Sequence, residues 1–98
     1  MAVVAEVSIF PLGTGWPGVS RYVAATVREI EASGLKCTLG PMGTTVEAET
    51  PGEVYAARAQ AAVFVLGPEQ AYTVIKIDEW RDVEGRSAED MVRSVREG

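Results

Sequence analysis

The chain has 98 residues, with 9 Lys+Arg against 14 Asp+Glu for a formal net charge of −5, no histidine and one cysteine. That length makes one domain, residues 1–98, which buries roughly 60–65% of its extended surface, so self-association is a natural way to bury more. The absent histidine excludes ordinary zinc sites and His-dependent catalysis; the lone cysteine excludes an internal disulfide; the acidic balance excludes a nucleic-acid footprint; and no apolar run approaches the ~20 residues of a membrane span.

Residues 3–10 alternate, with Ala5, Val7 and Ile9 on one side and Glu6, Ser8 and Phe10 on the other, which predicts a strand ended by Pro11. A Gly/Pro loop over 12–18 precedes a helix over 19–33, carrying Val19, Val23, Val27 and Ile30 on one stripe, with Gly34 as its left-handed terminator. Leu35, Cys37 and Leu39 alternate with Lys36 and Thr38 in a second strand. After the turn Gly40-Pro41-Met42-Gly43, residues 44–49 form a third, with Val46 and Ala48 opposite Thr45, Glu47 and Glu49. Thr50, Pro51 and Glu53 are a helix start, and that helix runs through Val54, Ala57, Ala61 and Phe64 to about Leu66, where Gly67-Pro68 stops it. Residues 71–79 form a fourth strand, 80–86 a polar loop, and Ser87 with Asp90 starts a final helix.

The order β-α-β-β-α-β plus a tail helix predicts an α+β ferredoxin-like sandwich. It has a four-stranded antiparallel sheet with the helices on one face, the first and third strands being central. The other face then carries Glu6, Ser8, Phe10, Thr38, Thr45, Glu47, Glu49, Tyr72, Val74, Lys76 and Asp78. It is either a solvated face or a packing and ligand face; Phe10, Tyr72 and Val74 are more apolar than a wet face needs. Glu6 and Glu47 lie on adjacent strands, and such neighbours require a cation or donor between them, which Lys76 can supply in part.

Gly13-Thr14-Gly15-Trp16-Pro17-Gly18 spells G-x-G-x-x-G, but the following strand enters a hairpin and has no acidic residue at its end, so no dinucleotide site is expected. Cys37 falls on the buried side and reads as a structural thiol, Ser8 has no base to activate it, and no metal or cofactor is expected. The N-terminus has no basic segment ahead of its apolar stretch, so a cytoplasmic location is expected.

Residues 4–15 (VAEVSIFPLGTG), 33–37 (SGLKC), 41–44 (PMGT), 46–49 (VEAE) and 75–78 (IKID) together resemble the thiamine-binding, YkoF-like family of small bacterial and archaeal proteins, across nearly the whole chain. The resemblance implies a ferredoxin-like fold, a homo-oligomer (dimer or tetramer), and binding without catalysis of thiamine or its hydroxymethylpyrimidine part. The open face suits that ligand. Glu47 is expected as acceptor for the aminopyrimidine edge, Ser8, Thr44 and Thr45 as orienting hydroxyls, and Phe10 or Trp16 as a flat wall, with Lys76 and Glu6 beside them. Two other readings remain: an oligomeric structural or interaction domain with no ligand, and an enzyme using a buried carboxylate as base.

Overall fold

The computed structural model describes residues 2–15, 18–81 and 87–98. In chain order the elements are β1 (Ala2–Leu12), α1 (Ser20–Ala32), β2 (Lys36–Leu39), β3 (Thr44–Ala48), α2 (Pro51–Ala56), α3 (Ala59–Val65), β4 (Gln70–Trp80) and α4 (Ala88–Glu97). The sheet order is β2-β3-β1-β4, every neighbouring pair antiparallel. This is the ferredoxin-like arrangement the element order predicts, with β1 and β3 central.

The alternation in β1 builds the core. Val3, Ala5, Val7 and Ile9 point to the helix-covered face and are buried, joined by Val46 of β3 and by Tyr22, Ile30, Val54 and Val63 of the helices. The termini form where their local chemistry directs. Thr50 Oγ1 accepts from Glu53 N at 3.3 Å, and Ser87 and Asp90 form a reciprocal capping box at α4. Gly34, at φ 89, closes α1.

Three features depart from the sequence expectation. Pro11 does not end β1. The strand continues to Leu12, paired on one side only with β4, and a proline is tolerated where a strand has a free edge. The buried stripe of α1 is centred on Tyr22, Thr26 and Ile30, and Val19 is exposed. Thr26 can be buried because its hydroxyl donates to Tyr22 O at 3.0 Å.

The expected helix over 50–66 is two helices. Arg58 stands between them at φ 57, the only non-glycine with positive φ among the described residues. That conformation costs an L-residue of order 1–2 kcal/mol. It also shifts the helical phase: the buried residues pass from Val54 and Ala57 to Ala59 and Val63, which leaves Ala61 and Phe64 exposed.

The helices α1 and α3 pack on one face of the sheet, while α4 lies against the other. Its first residue, Ala88, donates its backbone N–H to Glu47 Oε1 on β3 at 3.1 Å, and Thr38 and Thr45 face it across an open cleft. On the face opposite the core, α4 is therefore anchored at Glu47 on the β2–β3 side, with an open cleft over Thr38 and Thr45, and the β1–β4 side is free of it.

Ile30 is 1% exposed at the centre of this core. Ile30→Ala is expected to remove about 2–5 kcal/mol of stability, read as a lowered midpoint in urea denaturation with an unchanged slope.

Candidate functional site

A length mismatch creates a concavity where β3 stops along β1. β1 pairs with β3 only as far as Val7↔Thr44, although it continues five residues to Leu12 beside β4. Beyond Val7 the β3 side of β1 is vacant, and the hairpin tip 40–43 and the start of α1 close around the vacancy. The result is a notch of about 160 Å³. It is lined by Ser8 and Phe10 of β1, Val19 just before α1 and Val23 within it, and Met42 and Thr44 of the hairpin.

Thr44 is 2% exposed, and its hydroxyl makes no hydrogen bond with any described residue. A buried hydroxyl without a partner is uncommon in a folded protein. Ser8 Oγ donates to Met42 O at 3.2 Å, which ties the hairpin tip to β1. A Cβ on Gly43 would lie 2.8 Å from Glu6 Cγ and 3.0 Å from Ser8 Oγ, so the glycine is what allows the Glu6 side chain to lean against the notch. Phe10 forms one wall; with its neighbour Tyr72 and with Leu12 and Val74 it continues as an exposed apolar strip.

Of the residues expected at the site, the notch brings together Ser8, Phe10 and Thr44. Thr45 faces the other side of β3, opposite Glu6 and under α4. Trp16 lies outside the described residues.

Glu6 and Glu47 are diagonal, not opposed: Glu6 faces Thr45 while Glu47 faces Val4. Each has its own lysine directly across the strand pair, Glu6 with Lys76 at 3.2 Å and Glu47 with Lys36 at 3.5 Å. Lys36 was not singled out from the sequence, although it shares the parity of Thr38 and so the face of Glu47. The two carboxylates differ in availability. Glu47 is only 15% exposed and is engaged by Lys36 and by the α4 backbone, whereas Glu6 is 40% exposed beside the notch.

Cys37 is half-buried on β2. Burial pushes its thiol above the ordinary value, and the Glu31 carboxylate adds to the rise. Among the described residues no group of three or more Cys, Asp or Glu side chains is placed to hold a metal, and no helix is long and apolar enough to cross a membrane.

Residues 5–96 match the family described as thiamine-binding protein. A UPF0045 protein of Methanothermobacter thermautotrophicus is 38% identical over 97 residues, 97% of each chain, and the UPF0045 protein YqgV of Bacillus subtilis is 38% identical over 84 residues, 81% of each. The crystal structure of the MJ1052 protein of Methanocaldococcus jannaschii superposes with a TM-score of 0.81 at 35% identity, covering 99% of this chain and 98% of that one. A Thermotoga maritima protein, described as a candidate thiamine biosynthesis/salvage protein, shares the fold at a TM-score of 0.76 and 20% identity, over 98% and 100% of the two chains.

Two outcomes test this geometry. Glu47→Ala is expected to cost about 1–2 kcal/mol by removing the acceptor at the α4 N-terminus. Hydrogen exchange will then show protection lost in α4 and kept in β1; unchanged α4 protection contradicts the docking. Because the folded state holds Cys37 protonated, its stabilising contribution is present below the unfolded thiol pKa and declines as pH rises through the folded one. Iodoacetamide at pH 8 is accordingly expected to alkylate Cys37 more slowly in the folded protein than in urea.

Proposed function

This chain belongs to the thiamine-binding protein family, and from that premise we propose that it binds, without catalysis, thiamine or its hydroxymethylpyrimidine part, with the pyrimidine ring in the notch beside β1. The observation that carries this reading is the buried Thr44 hydroxyl lining the notch, which has no partner among the described residues. Leaving it unmatched costs about 1–3 kcal/mol, which a polar ring edge relieves. The volume of about 160 Å³ is below the roughly 300–1,000 Å³ of typical ligand pockets and suits a single ring. The pyrimidine half is thus the recognised part, and the thiazolium lies towards the open strip.

The ring edge has amino donors and nitrogen acceptors. Thr44 and Ser8 supply hydroxyls, and Phe10 supplies a stacking wall with Met42 beside it. Of the two carboxylates, Glu6 is the better acceptor for the amino group, since Glu47 already holds α4. In this assignment Lys76 orients Glu6, and Thr45 and Glu47 support the sheet from the α4 side. A thiazolium cation also meets a net charge of −5. The strip of Phe10, Leu12, Tyr72 and Val74 is the surface proposed to pack in a homo-oligomer in the cytoplasm. The same strip is what an interaction domain without a ligand would use.

Calorimetric titration with thiamine, thiamine monophosphate and hydroxymethylpyrimidine, with light scattering alongside, tests the proposal. Saturable binding of micromolar affinity or tighter is expected for the pyrimidine-containing ligands. Glu6→Gln is expected to weaken it by about 1–3 kcal/mol, whereas Glu47→Gln leaves it nearly unchanged. An oligomer that gives no heat with any of the three overturns the binding reading in favour of packing alone. The reverse ranking of the two variants moves the acceptor role to Glu47.

A further inference from the structure

We propose a second small-molecule site, on the helix-covered face of the sheet beneath the break between α2 and α3, that takes a small monocarboxylate with an apolar body. A cavity of about 280 Å³ opens there and reaches the core, with Ile9 and Ile75 of the sheet on its floor and Val54 and Ala59 of the helices above. Its size approaches the lower end of ordinary ligand sites, and its interior is almost wholly aliphatic, which selects an apolar body.

The mouth selects the charge. Among the described residues Arg58 is the only charged one lining the cavity, it is exposed, and its side chain makes no ion pair or hydrogen bond with any of them. A guanidinium in that position recognises a carboxylate through paired N–H donors. The backbone gives an independent reason to read Arg58 as functional. The other positive-φ positions among the described residues, at 13, 15, 34 and 67, are all glycine. Glycine at position 58 would make the same turn without strain, so what the arginine adds is its side chain. Gln60 Nε2 donates to Thr73 Oγ1 at 2.8 Å, bracing α3 to β4 at the rim. Among the described residues none of this rim belongs to the notch, and the two cavities share only Val7 and Ile9.

The probes are hexanoate and 3-phenylpropanoate, with hexylamine and hexanol as charge controls, followed by methyl NMR on the full chain. Saturable shifts are expected at Val54 and Ile75 with the two carboxylates, with Val19 and Val23 of the notch unmoved and the amine inactive. Arg58→Gln is expected to weaken hexanoate binding about tenfold or more by removing the charge. Arg58→Gly is expected to do the same while raising the melting temperature by about 4 °C or more, because it also releases the backbone strain. The proposal is overturned if millimolar hexanoate gives no saturable shift at Val54 and Ile75. It also fails if hexanol binds as well as hexanoate, or if either Arg58 variant binds hexanoate like the parent chain.

Discussion

β1 carries the structure because it pairs on both sides but not equally. Val3, Ala5, Val7 and Ile9 form the central row of the core, and the strand between them holds β3 on one side and β4 on the other. Its partnership with β3 stops at Val7↔Thr44, while that with β4 runs to Leu12↔Gln70. A strand with one neighbour missing leaves a gap one strand wide, and here α1 and the hairpin tip border that gap without filling it. The candidate site is a consequence of unequal strand lengths, with Thr44 buried at the step where the shorter strand begins.

The second organising contact is the carboxylate of Glu47. It joins an edge lysine on one side to the first backbone N–H of α4 on the other. A negative charge at a helix N-terminus is favoured both by the free donors and by the helix dipole. The tail helix buries none of its residues fully, so this polar contact and its capping box weigh heavily in its placement. Glu47 thus anchors α4 on the β2–β3 side of the sheet face and leaves the β1–β4 side open. Glu6, two residue pairs away along the β1–β3 ladder, stays on the open side.

The break at Arg58 has a similar reach on the other face. One residue in the left-handed conformation turns the chain and resets which side of the following helix meets the sheet, from the phase of Ala57 to that of Ala59 and Val63. A continuous helix would lay Ala61 and Phe64 against the sheet; the break leaves Phe64 outward and opens a cavity beneath the joint, with Ala61 at its exposed margin.

The element types, their order and the sheet that follows from them are legible in the residues alone. Strand alternation, Gly34, the Thr50 and Ser87 caps and the Gly40–Gly43 turn are local signals, acting over a few residues and readable without neighbours. The residues also determined the chemistry available on each face, so Ser8, Phe10 and Thr44 were identifiable as candidates, and Lys36 was readable by parity with Thr38. Only the tertiary structure decided where β3 stops along β1, which carboxylate α4 takes, and how the chain turns at Arg58. Pro11 reads as a terminator because its effect depends on whether a partner strand lies beside it, and that is a question of register. Glu6 and Glu47 look alike in sequence because the difference between them is a helix that returns from 41 residues further on. Such long-range contacts leave no periodic trace in the chain, and they separate a held carboxylate from an available one.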